Sequence, residues 1–129
     1  MEPTFDFNKY SKTIGKIGII TEPTVHIAKN GQFHIYQVDE NEAQYVRISR
    51  QGKYLGFKFI YEKDSGAYSL MHIRDLFKVK AAALGKALKL DELLGDDVSS
   101  INCEMVKSEE QPHTWYCDLT NPTLTYHKN

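Results

Sequence analysis

The stretch Thr24-Val25-His26-Ile27-Ala28-Lys29-Asn30-Gly31-Gln32-Phe33-His34-Ile35-Tyr36 decides how the chain folds. Apolar and polar residues alternate on both sides of Lys29-Asn30-Gly31. Period-two alternation marks a strand with one buried face. Register follows from asking which loop length puts the apolar residues together. A two-residue loop at Asn30-Gly31 pairs Ile27 with His34 and mixes the faces. A three-residue loop pairs Ile27 with Phe33 and Val25 with Ile35, and sets His26 opposite His34 on the other side. Gly31 then supplies the positive φ that closes such a loop at little cost. The spacing predicts an antiparallel hairpin in this second register.

An acidic linker, 39–44, leads outward to a second pair of alternating runs, 45–50 and 53–61, around Gln51-Gly52. A two-residue loop there pairs Ile48 with Leu55 and Val46 with Phe57, with Phe59 continuing the face. Tyr45, Arg47, Tyr54 and Lys58 share the opposite face, and Arg50 and Lys53 stand at the turn. Lys63-Asp64-Ser65-Gly66 is turn chemistry, and 67–73 reads as a further strand. Strong helix formers then crowd residues 74–94, which predicts one main helix. Gly85 and Lys80 disturb its apolar stripe, a break near Leu90-Asp91 with Asp91 capping a last short turn is expected, and Gly95 is a natural stop. Runs 98–107 and 113–119 predict a third hairpin, with Met105 opposite Trp115 and Cys103 opposite Cys117. Residues 1–12 read as a loosely held arm, 14–21 as a Gly-punctuated apolar run, and 121–129 as a polar tail. The expected architecture is a single α+β domain over 1–129, a predominantly antiparallel sheet of three hairpins with the helix packed on it.

Composition agrees with that size and class. The chain has 129 residues, 41% hydrophobic and 26% charged, which is ordinary globular usage. Eight Tyr, six Phe and one Trp favour strands. No apolar run approaches the ~18–20 residues that span a bilayer, so no membrane partner is expected. Met1-Glu2-Pro3-Thr4-Phe5-Asp6 lacks the basic start and apolar stretch of a signal peptide, and two cysteines are too few for a disulfide scaffold. A cytoplasmic setting is expected. Net charge is −1 but unevenly placed: residues 1–90 hold 14 Lys/Arg against 9 Asp/Glu, and 91–129 hold 2 against 8. Such asymmetry fits a nucleic-acid face opposite an acidic one, or two portions that attract each other within a monomer or across a dimer.

Catalytic signatures are missing: there is no Gly-x-Ser-x-Gly elbow, Walker loop, dinucleotide fingerprint or His-Glu-x-x-His. No catalytic residue, metal ligand or cofactor is assigned. Cys103 and Cys117, opposed, fit either a redox switch or two reduced thiols packed as small hydrophobes. His26 and His34, joined by His72 or His113, fit either a metal site or exposed imidazoles on a wet face. Tyr45, Arg47, Arg50, Lys53, Tyr54 and Lys58 interleave aromatics with cations, an arrangement that stacks bases and meets phosphates. The plainer alternative is a solvated sheet face.

Residues 23–59, carried by the run from Thr24 to Ile35, resemble the swapped-hairpin transition-state-regulator type of DNA-binding domain. The helical connector and the proline after the first hairpin that this family carries are not evident. The resemblance implies DNA binding by paired hairpins. The leading expectation is a small non-enzymatic binding or regulatory module with nucleic acid as partner. The second is a protein–protein module, such as a homodimer or an accessory protein, and the third a small enzyme.

Overall fold

The computed structural model describes residues 22–74 and 76–128; the arm 1–12 and the run 14–21 lie outside the described residues. Strands β1 (Thr24–Ala28), β2 (Gln32–Tyr36), β3 (Tyr45–Gln51), β4 (Tyr54–Ile60), β5 (Tyr68–Ser69), β6 (Met71–Ile73) and β7 (Leu76–Lys80) come first. Helices α1 (Ala82–Ala87) and α2 (Leu90–Leu94) follow, then β8 (Val98–Glu104), β9 (Val106–Lys107), β10 (Thr114–Asp118) and β11 (Leu124–His127). The first sheet runs β11-β8-β1-β2-β7-β6 and the second β5-β3-β4-β10-β9. Every pairing is antiparallel.

The two sheets share one core. Val25, Ile27, Phe33, Ile35, Phe77, Val79, Ile101 and Cys103 come from the first; Val46, Leu55, Phe57, Phe59, Trp115 and Cys117 come from the second. Phe33 meets Phe57 edge-on at 6.0 Å between ring centroids, and Phe59 meets Phe77 at 5.8 Å. Each of these contacts joins opposite sheets, so the fold is a sandwich. Burying a side chain such as Phe33 or Phe57 stabilises it by about 1.5–3 kcal/mol.

The first hairpin has the register that its alternation predicts: Val25 opposite Ile35, His26 opposite His34, Ile27 opposite Phe33. Gly31 turns at φ 88°. In the second hairpin the faces hold and the register differs. Ile48 lies opposite Phe57, Val46 opposite Phe59 and Gln51 opposite Tyr54, so the loop is Gly52-Lys53. Gly52, at φ 60°, occupies the first loop position, where a type II′ turn takes glycine. The slip is an even number of residues, so no side chain changes face. The two hairpins belong to different sheets and their connector holds no helix, unlike the paired-hairpin family that residues 23–59 resemble.

The third hairpin is corrected more deeply. The run 98–107 divides at Met105: β8 pairs with β1 and β11 in the first sheet, and β9 pairs with β10 in the second. Lys107, not Met105, lies opposite Trp115. Cys103 and Cys117 therefore face each other across the core rather than along a ladder. Residues 121–129, expected as a polar tail, supply β11 on the edge of the first sheet.

The single main helix over 74–94 does not form. Strand accounts for 49% of the structure and helix for 10%. Leu76-Phe77-Lys78-Val79-Lys80 buries Phe77 and Val79 and pairs with β2; its period-two alternation outweighs the helix formers beside it. The helical remainder breaks at Lys89, left-handed at φ 56° and next to the expected Leu90-Asp91, and Lys89 rather than Asp91 stands at the cap of α2. Gly95 ends α2 as expected. Helix α1 sits directly on the first hairpin loop: a Cβ on Gly85 would stand 2.8 Å from the Lys29 carbonyl oxygen, and one on Gly31 2.2 Å from that of Ala81.

Candidate binding groove on the second sheet

The outward residues of the second sheet form rows across its strands. Arg47, Lys58 and Thr114 make one row, Ser49, Gly56 and Tyr116 the next, and Gln51, Tyr54 and Asp118 a third. The middle row carries a glycine in the centre of a strand. A Cβ there would meet only the Ser49 carbonyl, at 3.7 Å. The missing side chain leaves a groove of ≈ 460 Å³ with Gly56 and Phe57 in its floor and Arg47, Lys58, Tyr54 and Tyr116 around it. Ser108 and Gln111, from the loop before β10, close one side. Tyr54 and Tyr116 are exposed by 42% and 37% and meet edge to face, 5.9 Å between centroids.

Charge in the groove is mostly spent internally. Arg47 grips Asp64 through two bonds, Nε to Oδ2 at 2.7 Å and Nη2 to Oδ1 at 2.6 Å. That pair holds the Asp64 carboxyl below its usual range and the guanidinium above its own. Lys53 lies 3.3 Å from Asp118 and 5.2 Å above the Tyr54 ring; the Asp118 bond raises its ammonium. Lys58 is in no ion pair among the described residues.

Of the residues proposed from sequence, Arg47, Tyr54 and Lys58 line this groove. Tyr45 lies on the same face beyond it, opposite Ile60 and Ser69. Lys53 stands in the hairpin loop. Arg50 leaves the set: it faces away, opposite Leu55, and its guanidinium donates to the carbonyls of Leu88 at 2.6 Å and Gly52 at 2.7 Å. Sequence reasoning missed Gly56, Thr114 and Tyr116. The signal was present in β10, whose Thr114-Tyr116-Asp118 alternate with buried Trp115 and Cys117, but pairing β10 with β8 hid their neighbours.

A second polar cluster was also missed. Glu40, 2% exposed, sits in the connector between β2 and β3. Its carboxylate accepts from Tyr61 Oη, from His113 Nδ1 at 2.9 Å and from Trp115 Nε1 at 3.3 Å. Burial alone would raise its pKa; the three donors outweigh that and hold it below the ordinary value. The histidines weighed for a metal are dispersed. His26 bonds Asn102 Oδ1 at 2.5 Å beside His34, His72 bonds the Ala43 carbonyl at 2.8 Å, and His113 serves Glu40.

No protein-family model matches the chain, and comparison with curated proteins and with solved structures yields no match.

Proposed function

We propose that the chain is a binding module whose groove over Gly56 takes a short single-stranded nucleic-acid segment. The observation that carries this is the open floor at Gly56 between two exposed tyrosines and one uncommitted lysine. A strand glycine whose missing Cβ would meet only a neighbouring carbonyl suits close approach of a ligand. Tyr54 and Tyr116 offer ring faces and edges to a base, and base–aromatic stacking is worth about 1–3 kcal/mol per base. Lys58 meets one phosphate, while Ser49, Gln51, Gln111 and Thr114 offer sequence-tolerant hydrogen bonds. With Arg47 and Lys53 neutralised, stacking dominates and ionic strength matters little: one phosphate contact gives a log–log salt slope of about −0.7 for a single strand. Fluorescence anisotropy with labelled single- and double-stranded oligonucleotides at low salt tests this. Binding of the single strand, weakened by Tyr116→Ala and Lys58→Ala, is the expected result. No binding at micromolar protein ends the proposal.

A second reading is self-association through the first sheet. Met71 and Ile73 on β6, and Leu124 and Tyr126 on β11, are exposed at the two margins of that sheet, and edges that pair with no further strand among the described residues and carry apolar side chains invite a second copy. The uneven charge favours this reading less. Lys29–Asp91 and Lys53–Asp118 already join the basic and acidic portions within one chain. Light scattering with salt varied decides it: a monomer at all salt concentrations removes this reading.

A further inference from the structure

Cys103 and Cys117 are the chain's two cysteines, both buried and free. They come from opposite layers, β8 of the first sheet and β10 of the second. Cys103 Sγ lies 3.6 Å from the backbone oxygen of Asp118, the residue after Cys117, which brings the two thiols near each other. The chain's path explains the closeness. It leaves the first sheet at Met105 and enters the second at Val106, so β8 and β10 converge toward that crossing. Buried thiols are usually inert hydrophobes, but two brought together from different layers have one further chemistry open to them.

We propose that Cys103 and Cys117 are a disulfide site that covalently ties the two sheets together when a disulfide-class oxidant is present. The cover over the pair is thin: Cys117 lies in the wall of a surface depression of ≈ 420 Å³ formed with Val106, Asp118 and Pro122. The thiolate of one cysteine attacks one sulfur of an oxidised small-molecule disulfide; that S–S bond breaks, and one thiolate leaves and takes up the proton lost by that cysteine. The other cysteine then gives up its proton and attacks the protein sulfur of that mixed disulfide, the second thiolate leaves and is protonated, and the Cys103–Cys117 bond remains. Two protein thiols are oxidised and one external disulfide is reduced to two thiols.

Mass spectrometry of the intact full-length chain tests this. The reduced, folded protein is incubated with oxidised glutathione at pH 8, then denatured and treated with N-ethylmaleimide. A parallel sample is refolded from urea in a glutathione redox buffer, so that access does not limit the reaction. The expected product is about 2 Da lighter than the reduced chain, monomeric, and without maleimide or glutathione adducts. Its Tm is higher by about 10 °C, as closing a loop of this length implies. Cys117→Ser and Cys103→Ser are each expected to stop at a single glutathione adduct. Two maleimide adducts in the refolded sample, or wild-type protein held as a stable glutathione adduct, would overturn the proposal.

Discussion

Glu40 Oε2 accepts a hydrogen bond from His113 Nδ1 at 2.9 Å, joining the connector after β2 to the residue that precedes β10. His113 holds a left-handed φ of 54° to do so, and its ring lies 4.8 Å from that of Tyr61. Because the folded pKa of Glu40 lies below its unfolded value, the carboxylate's contribution is present above about pH 5 and is lost as pH falls through the folded pKa. Urea unfolding followed against pH is expected to show stability dropping on the acid side, with a shallower drop in Glu40→Gln. Glu40→Ala leaves the buried Trp115 Nε1 without its acceptor and is expected to cost about 2 kcal/mol at pH 7. A Glu40→Ala protein as stable as wild type would show that the cluster contributes nothing.

Two glycines are expected to respond in opposite ways. Gly31→Ala places a Cβ at φ 88°, 2.2 Å from a backbone oxygen, and is expected to destabilise by at least about 2 kcal/mol. Gly56→Val adds a β-branched side chain to a strand where its Cβ makes only ordinary contact with the Ser49 carbonyl, at 3.7 Å, and is expected to leave the unfolding midpoint unchanged or slightly higher. Thermal or urea unfolding of the two variants, measured together, checks this contrast.

Arg50 is expected to serve stability and not the ligand. Its guanidinium closes the carbonyl end of α1 at Leu88, where a cation also suits the helix dipole. Arg50→Met is expected to lose about 1 kcal/mol of stability with oligonucleotide affinity unchanged. A fall in affinity without a fall in stability would return Arg50 to the binding site.

Much of this architecture could be read from alternation alone, and its failures share one physical cause. The hairpin at Lys29-Asn30-Gly31 is local, and a single test of facing fixes its register. At Gln51-Gly52 two registers satisfy the same faces, and only the turn's demand for glycine in its first position separates them. At Met105 the chain changes sheets, and a period-two pattern carries no mark of which sheet receives it. Over 76–80 the helix formers spoke for a helix, but Phe77 and Val79 gained more by burial against β2. The candidate site suffered likewise. Arg47, Tyr54 and Lys58 were legible as one face; Asp64 and Asp118, which neutralise their cationic neighbours, and Tyr116, which completes the groove, come from distant segments that only the fold brings near.

Anisotropy titration of Gly56→Val beside wild type, with one labelled single-stranded oligonucleotide, tests the proposed groove most directly. The side chain fills the floor without disturbing the sheet, so binding should fall at least about tenfold while stability holds. That loss corresponds to about 1.4 kcal/mol, the scale of one stacked base. Wild-type affinity in a folded Gly56→Val protein would contradict the groove as the binding site.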